Sequence, residues 1–259
     1  MAAPVSEMTA QHNFVIPDLV RLYSESYDDK MLKWRAIGAE EKSRNIETIT
    51  ARVANSIDSV LEVGCGTGAV LKKLSADGLG SQFVGIEIGD SQRTRAGQNG
   101  GDSRSLEIHG YDGKHIPYED ESFDLVYATH VLEHVTDERG FLHELRRVSR
   151  KYIYLEVPCE LHMRTSFQAL QETLNIGHIN CYTPESFALT LETSGLKVKE
   201  LKVFDLSYAM QRYHSTAART MVKATLRKIL LAANEKLATR IFTFHCGALC
   251  EKGHKLNLS

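Results

Sequence analysis

The sequence predicts an α/β fold: an open, mostly parallel sheet with helices on both faces. Three observations carry that reading. From residue 58 onward, short β runs alternate with helical stretches in βαβα order. Most of those β runs are near-continuous apolar segments, as strands covered on both faces require. The first run also passes directly into a glycine-rich turn and a helix start, Gly64-Cys65-Gly66-Thr67-Gly68. At 259 residues, the chain is long enough to bury a large core. Its 42% apolar and 25% charged residues exclude a chain-wide disordered, collagenous or disulfide-scaffold class. A net charge of −2 gives no chain-wide reason to expect a polyanion partner.

Taken in order, residues 1–14 read as a loose tail. From Pro17 to about Asn55 a charged helical pattern follows, with Leu22, Met31, Leu32, Trp34, Ile46, Ile49 and Val53 as its apolar set. Residues 1–55 are therefore expected to be a tail and a helical lead-in, with Tyr23 and Tyr27 placed to act as a lid. Residues 56–259 form the main domain. Its β runs are Ser59–Val63, Phe83–Ile88, Leu106–His109, Phe123–Ala128 and Tyr152–Val157, with helices near 68–77, 90–97, 130–148 and 184–194. Two more β-like segments, Lys197–Phe204 and Ile241–Cys250, enclose a helical insertion around 205–240. Its main helix, from about Ala217 to Ala238, has Met221, Val222, Leu226, Ile229, Leu230, Ala233 and Leu237 as the apolar stripe expected to meet the core.

The glycine turn is the strongest local signal. Glycines there allow a tight turn and let a ligand approach bare backbone beside a helix N-terminus. In such sheets ligands sit at the carboxyl ends of the strands. Taken alone the turn is ambiguous, because Gly64-x-Gly66-x-x-Ala69 with Glu87 about 20 residues on also satisfies a loose dinucleotide fingerprint.

Glu62 stands inside the first strand, where a dinucleotide-binding strand is usually apolar. Three further blocks follow: Asp112-Gly113-Lys114-His115-Ile116-Pro117-Tyr118, Ser122-Phe123-Asp124-Leu125-Val126 and His130-Val131-Leu132-Glu133-His134-Val135. With these blocks the sequence closely resembles the class I S-adenosylmethionine-dependent methyltransferases over roughly residues 40–200. The nearest subset is the small-molecule group that includes the ubiquinone-biosynthesis O-methyltransferases. The resemblance implies a Rossmann-like seven-stranded sheet, mostly parallel, with its last strand antiparallel, and S-adenosyl-L-methionine as cofactor. It assigns Glu62 and the turn of Gly64, Cys65, Gly66 and Gly68 to the methionine part. Glu87, with Ile88 beside it, would hold the ribose, Asp112 and Gly113 the adenine, and Thr129 and His130 would lie near the sulfonium. It also places Arg44 near the cofactor.

Methyl transfer requires alignment, shielding from water and, for an oxygen or nitrogen nucleophile, loss of a proton. His178, in a loop ending at the Thr183-Pro184 helix start, is the first candidate for that base. His134 is the second. It lies four residues after His130, on the same face if 130–148 is one helix, with Glu133 pointing elsewhere. That spacing lacks a third ligand and no HExxH pattern is present, so no metal site is expected. Glu156 is an acid inside an apolar strand and needs a partner if buried.

The acceptor expected is a small molecule, a lipid precursor or a sugar-type intermediate. The alternatives are a protein or RNA methyltransferase, or a cofactor-binding partner subunit without turnover. From Arg212 to Arg240 seven basic residues face only Glu235, a stretch suited to an anionic substrate or a peripheral membrane contact. It lacks aromatic interleaving, which disfavours nucleic acid. The longest apolar run, Ile229–Ala233, is far too short to span a bilayer. Met1–Ala10 has no secretory pattern, and the five cysteines show no CxxC spacing, so a cytoplasmic protein with reduced thiols is expected.

Overall fold

Strand position in the sheet explains the burial of each strand. In the computed structural model, which describes residues 29–89, 105–213 and 215–253, seven strands lie in the order β3-β2-β1-β4-β5-β7-β6. These are β1 (Ser59–Val63), β2 (Gln82–Glu87), β3 (Ser105–Gly110), β4 (Phe123–Thr129), β5 (Ser149–Cys159), β6 (Leu196–Phe204) and β7 (Phe244–Lys252). The central strands β1 and β4 are buried at every residue, whereas the edge strand β6 alternates between buried and open positions. β1 to β5 pair in parallel, and β7 runs antiparallel to both β5 and β6. The sequence-predicted seven-stranded sheet with an antiparallel last strand is the observed one.

Helices cover both faces. On one face α1 (Asp29–Thr50) and α2 (Ala69–Asp77) bury Ile46, Ile49, Leu71 and Leu74 against Val60, Phe83, Leu125 and Tyr154. On the other, α3 (Glu138–Val148) and α5 (Pro184–Thr193) bury Leu142, Leu145, Phe187 and Leu191 among Leu61, Val63 and Leu155. Alternate residues of β1 thus serve opposite cores. A short helix α4 (Phe167–Thr173) follows β5. After β6 come α6 (Tyr208–Arg212), α7 (Ala217–Ala233) and α8 (Glu235–Ile241).

Three expectations need correction. Residues 130–148 are not one helix: a single 3-10 turn at Leu132–His134 precedes α3, whose N-cap is Asp137. The helix expected to run to Ala238 breaks at Asn234, which caps α8, and the last strand starts at Phe244. Most of the apolar stripe of α7 also faces outward: Val222 is 68% and Ile229 62% exposed, Leu230 alone of its residues on this helix packs partly against the core, and Thr220, Ala224 and Arg227 are buried. The reason is Arg227, whose guanidinium pairs with Asp205, donates to the Thr243 carbonyl at 2.7 Å and lies 4.2 Å over the Phe244 ring. A desolvated arginine paired with a carboxylate fixes which side of the helix faces in. The expected helix 90–97, Tyr23 and Tyr27 lie outside the described residues. No helix among the described residues is long and apolar enough to cross a membrane.

Candidate active site

Because β1, β2, β4 and β5 are parallel, their carboxyl ends share one edge of the sheet, and the antiparallel β7 brings its starting residues there too. At the end of β1 the Gly64 and Cys65 N–H groups donate to the Ile86 carbonyl at 2.8 and 3.1 Å, locking the turn to β2. The three glycines are not equivalent. A Cβ on Gly64 would come within 2.6 Å of Val131, and one on Gly68 within 2.6 Å of Ile108, so both are demanded by packing. On Gly66 (φ +54°) a Cβ would meet only the Arg35 guanidinium, at 3.2 Å, among the described residues. Gly66 is buried, and the neighbour its missing side chain makes room for is the flexible end of Arg35 rather than the packed apolar wall that constrains Gly64 and Gly68. Cys65 tucks its side chain under the turn, where its Sγ would be 2.7 Å from a Cβ on Gly85.

Two acids flank the turn. Glu87, at the end of β2, accepts from Gly66 N–H at 2.7 Å and Gly89 N–H at 3.0 Å, one bond to each carboxylate oxygen. Glu62 is 2% exposed and its Oε2 has no hydrogen-bond partner. Burial pushes its carboxyl up to about 8, although Tyr127 and Lys42 pull it down. Beyond β3, exposed Asp112 accepts from His115 and Lys114 N–H groups at 2.7 and 2.8 Å, and these two bonds hold its carboxyl below the ordinary range. Ile88 comes within 3.3 Å of where Gly113 would carry a Cβ, which brings those two residues together.

Thr129 ends β4, and His130 follows with a positive φ of 57°. This backbone turn aims the imidazole of His130 back at Glu156, 3.3 Å away, and packs it 4.3 Å from the ring of His245. Burial drives the His130 pKa well down, with Lys42 and His245 adding to it. Glu156 finds the partners its burial requires: Tyr154 Oη donates at 2.6 Å and Asn45 Nδ2 at 3.0 Å. Burial opposes its ionisation, but His130 and His245 outweigh burial and hold it well below the usual range. Arg44, by contrast, is not at the site. It is exposed and pairs with Glu40 at 3.3 Å, the arginine on this helix that reaches the turn being Arg35.

His130 and His134 do not share a helix face. His134 belongs instead with Glu133 and His178, whose ligand-type atoms all lie within 4.8 Å of one another. Glu133 does not point elsewhere: it is 0% exposed, and neither carboxylate oxygen has a hydrogen-bond partner. It forms long ion pairs with His130 Nδ1 at 3.4 Å and His134 Nε2 at 4.0 Å. Burial pushes Glu133 up to about 7 and His134 down to about 4. His134 Nδ1–H donates to the Gly177 carbonyl at 2.9 Å, and His178 Nδ1 pairs with Glu160 at 2.8 Å. Burial opposes the charge on His178, but Glu160 and Glu133 outweigh it and raise its pKa. The loop carrying His178 is pinned by Ile179 and Asn180 N–H groups to the Glu133 carbonyl and ends at the Thr183 capping box.

Sequence reading missed Arg35, Lys42, Asn45, Glu160 and His245. α1 supplies the first three, and only its register against the sheet reveals which of its polar residues turn inward. Glu160 directly follows the fifth strand, a position that could have marked it. His245 arrives through the antiparallel pairing of β7, which no local pattern announces.

Residues 61–154 match the family described as Methyltransferase domain. The chain is 28% identical over 168 residues to a chloroplastic tocopherol O-methyltransferase of Arabidopsis thaliana, covering 62% of this chain and 46% of that protein. It therefore spans less than half the length of this relative. The fold is shared with magnesium protoporphyrin IX methyltransferase from Synechocystis, solved with bound S-adenosylhomocysteine (TM-score 0.55, 11% identity, 90% of this chain and 92% of that one). It is also shared with the [4+2]-cyclase SpnF (TM-score 0.57, 17% identity, 82% and 80%). Fold alone does not fix the reaction.

Proposed function

We propose that this chain, which carries a methyltransferase domain over residues 61–154, transfers the methyl group of S-adenosylmethionine to a small molecule at oxygen or nitrogen. The observation that carries the reading is a buried, unpartnered carboxylate oxygen on Glu62 beside a glycine turn that the Arg35 guanidinium approaches at Gly66. A ligand with an ammonium group beside a carboxylate fits this pair: the ammonium meets Glu62, and the carboxylate meets the Arg35 guanidinium. The Glu87 carboxylate has the acceptor chemistry a diol needs, and Asp112, with Ile88 and Gly113, offers an edge and a slot for a flat ring.

When bound, the cofactor supplies a methyl group on a sulfonium; the acceptor's lone pair takes the methyl and the C–S electron pair returns to sulfur. The protein's part is to align and dehydrate that encounter, with His130 and Thr129 at the end of β4 and the Glu133–His134–His178 cluster bounding the acceptor's position. Isothermal titration with S-adenosylhomocysteine and with NAD tests the reading. Binding of the former and not the latter is expected; the reverse would return the glycine turn to the dinucleotide class.

The acceptor we favour is lipid-like. α7 presents Met221, Val222, Leu226 and Ile229 outward, with Arg219, Lys223 and Lys228 along the flanks. An apolar face edged by cations and free of acids suits the interface of an anionic bilayer. The Arabidopsis relative acts, by its name, on tocopherol. Val222→Glu with Ile229→Glu should abolish sedimentation with phosphatidylglycerol vesicles while leaving thermal stability within about 0.5 kcal/mol. Unchanged sedimentation, or a dimer in ultracentrifugation that the pair dissociates, would contradict membrane docking.

A further inference from the structure

We infer that Glu133, His134 and His178 form a binding site for a first-row divalent cation, which holds the acceptor's oxygen for methylation. The inference rests on the methyltransferase reading for its purpose but not for its geometry.

Four observations converge. First, Glu133 is fully buried with no hydrogen-bond partner on either oxygen and only long ion pairs to His130 and His134, at 3.4 and 4.0 Å, a costly state that a bound cation would relieve. Second, the other histidine–acid group is different in kind: Glu156 between His130 and His245 already accepts from Tyr154 and Asn45, so its needs are met within the protein. Third, both histidines of the Glu133 group are oriented as metal-binding imidazoles are. His134 commits Nδ1–H to a backbone carbonyl at 2.9 Å and His178 commits Nδ1 to Glu160 at 2.8 Å. In each ring this places the lone pair on Nε2, the tautomer fixed by an outer carbonyl or carboxylate. Fourth, the scale is right. Three atoms within 4.8 Å of one another lie at most about 2.8 Å from a common centre, so closing to ~2.0–2.2 Å needs a shift of about 0.7 Å each.

Two imidazoles and one carboxylate select a Mn, Fe, Co or Zn ion over Mg or Ca and leave positions open. An acceptor hydroxyl taking an open position would have its pKa lowered, release its proton to water and present an oxygen lone pair to the methyl group. The oxygen–methyl bond forms as the methyl–sulfur bond breaks, and no oxidant or reductant is needed. Under this assignment His178 is a ligand rather than the general base, and Glu160 is a positioning residue acting through it.

The test is Co2+ titration of the chelator-treated full chain, followed by visible d–d absorption. One equivalent is expected to bind, with affinity falling at least ~10-fold in His134→Ala, His178→Ala and Glu133→Gln, and ~10- to 100-fold in Glu160→Gln. His245→Ala should keep the full Co2+ signal. Circular dichroism and S-adenosylhomocysteine titration on each variant establish that it is folded. Weak binding indifferent to these variants, or binding lost in His245→Ala instead, overturns the site. A protein that binds Co2+ as predicted but no S-adenosylhomocysteine overturns the methyltransferase reading and leaves the metal site standing.

Discussion

Glu62 meets two opposing demands. Buried in β1 beside Tyr127, its carboxyl is pushed up to about 8, whereas in the unfolded chain it ionises near 4.5. Between those values the native state binds the extra proton, so this group's contribution to stability falls as pH rises through the window. Glu62→Gln copies the protonated form. It should therefore raise ligand-free stability by about 1–3 kcal/mol at pH 8 and leave it almost unchanged at pH 5, as read by urea unfolding. The same substitution should weaken S-adenosylmethionine binding ~10- to 100-fold, because the ammonium loses its counter-charge. Gly66→Arg, which puts a long side chain where the Arg35 guanidinium approaches the turn, should abolish that binding while the circular dichroism spectrum is retained. Intact affinity there would remove the cofactor from this turn. Much of this set was legible in the sequence: an acid inside an apolar strand, a glycine turn, an acid at the end of the next strand. Arg44 was not rightly placed, because Arg35, Lys42 and Arg44 all lie on one polar-rich helix and sequence spacing does not say which of them meets the sheet.

At the scale of elements, α7 shows how a helical period can be read correctly and oriented backwards. Its apolar stripe is real, yet the buried side is chosen by a single arginine tied to Asp205, Thr243 and the Phe244 ring. Arg227→Ala removes one partner of a buried pair and should cost about 3–5 kcal/mol in chemical denaturation, far more than any substitution on the outward stripe. A loss under about 1 kcal/mol would mean that something else anchors the helix. The short turn at Leu132–His134 is a second case. Its polar residues resemble one turn of a longer helix, but Asn180 donates to the Leu132 and Val135 carbonyls at 3.0 and 2.7 Å and holds the chain in a separate turn. Asn180→Ala leaves two carbonyls short of a donor and should cost about 1–3 kcal/mol. It should also reduce turnover, because that side chain ties the loop carrying His178 to the turn that carries Glu133 and His134. Strand positions needed no such tertiary information, since fully buried parallel strands write themselves as apolar runs.

Across the whole molecule, the order β3-β2-β1-β4-β5-β7-β6 gathers at one edge residues far apart in the chain, from Arg35 to His245. The alternating pattern made the parallel half of this sheet predictable, and with it the glycine turn and the acid Glu87 at the end of the next strand, whereas Asp112 and His130 came from the family resemblance. The pairing of β7 between β5 and β6, and the placement of α1 over the edge, depend on packing between distant segments, so the second half of the site could not be read from local spacing. The central claim is that this edge transfers a methyl group to a small, lipid-like acceptor. Its most direct test is incubation of the purified chain with methyl-labelled S-adenosylmethionine and a fractionated cell extract. The account predicts label in the organic-soluble small-molecule fraction, and none with Gly66→Arg. Label confined to protein or RNA, or none in any fraction from a chain that binds the cofactor, would contradict it.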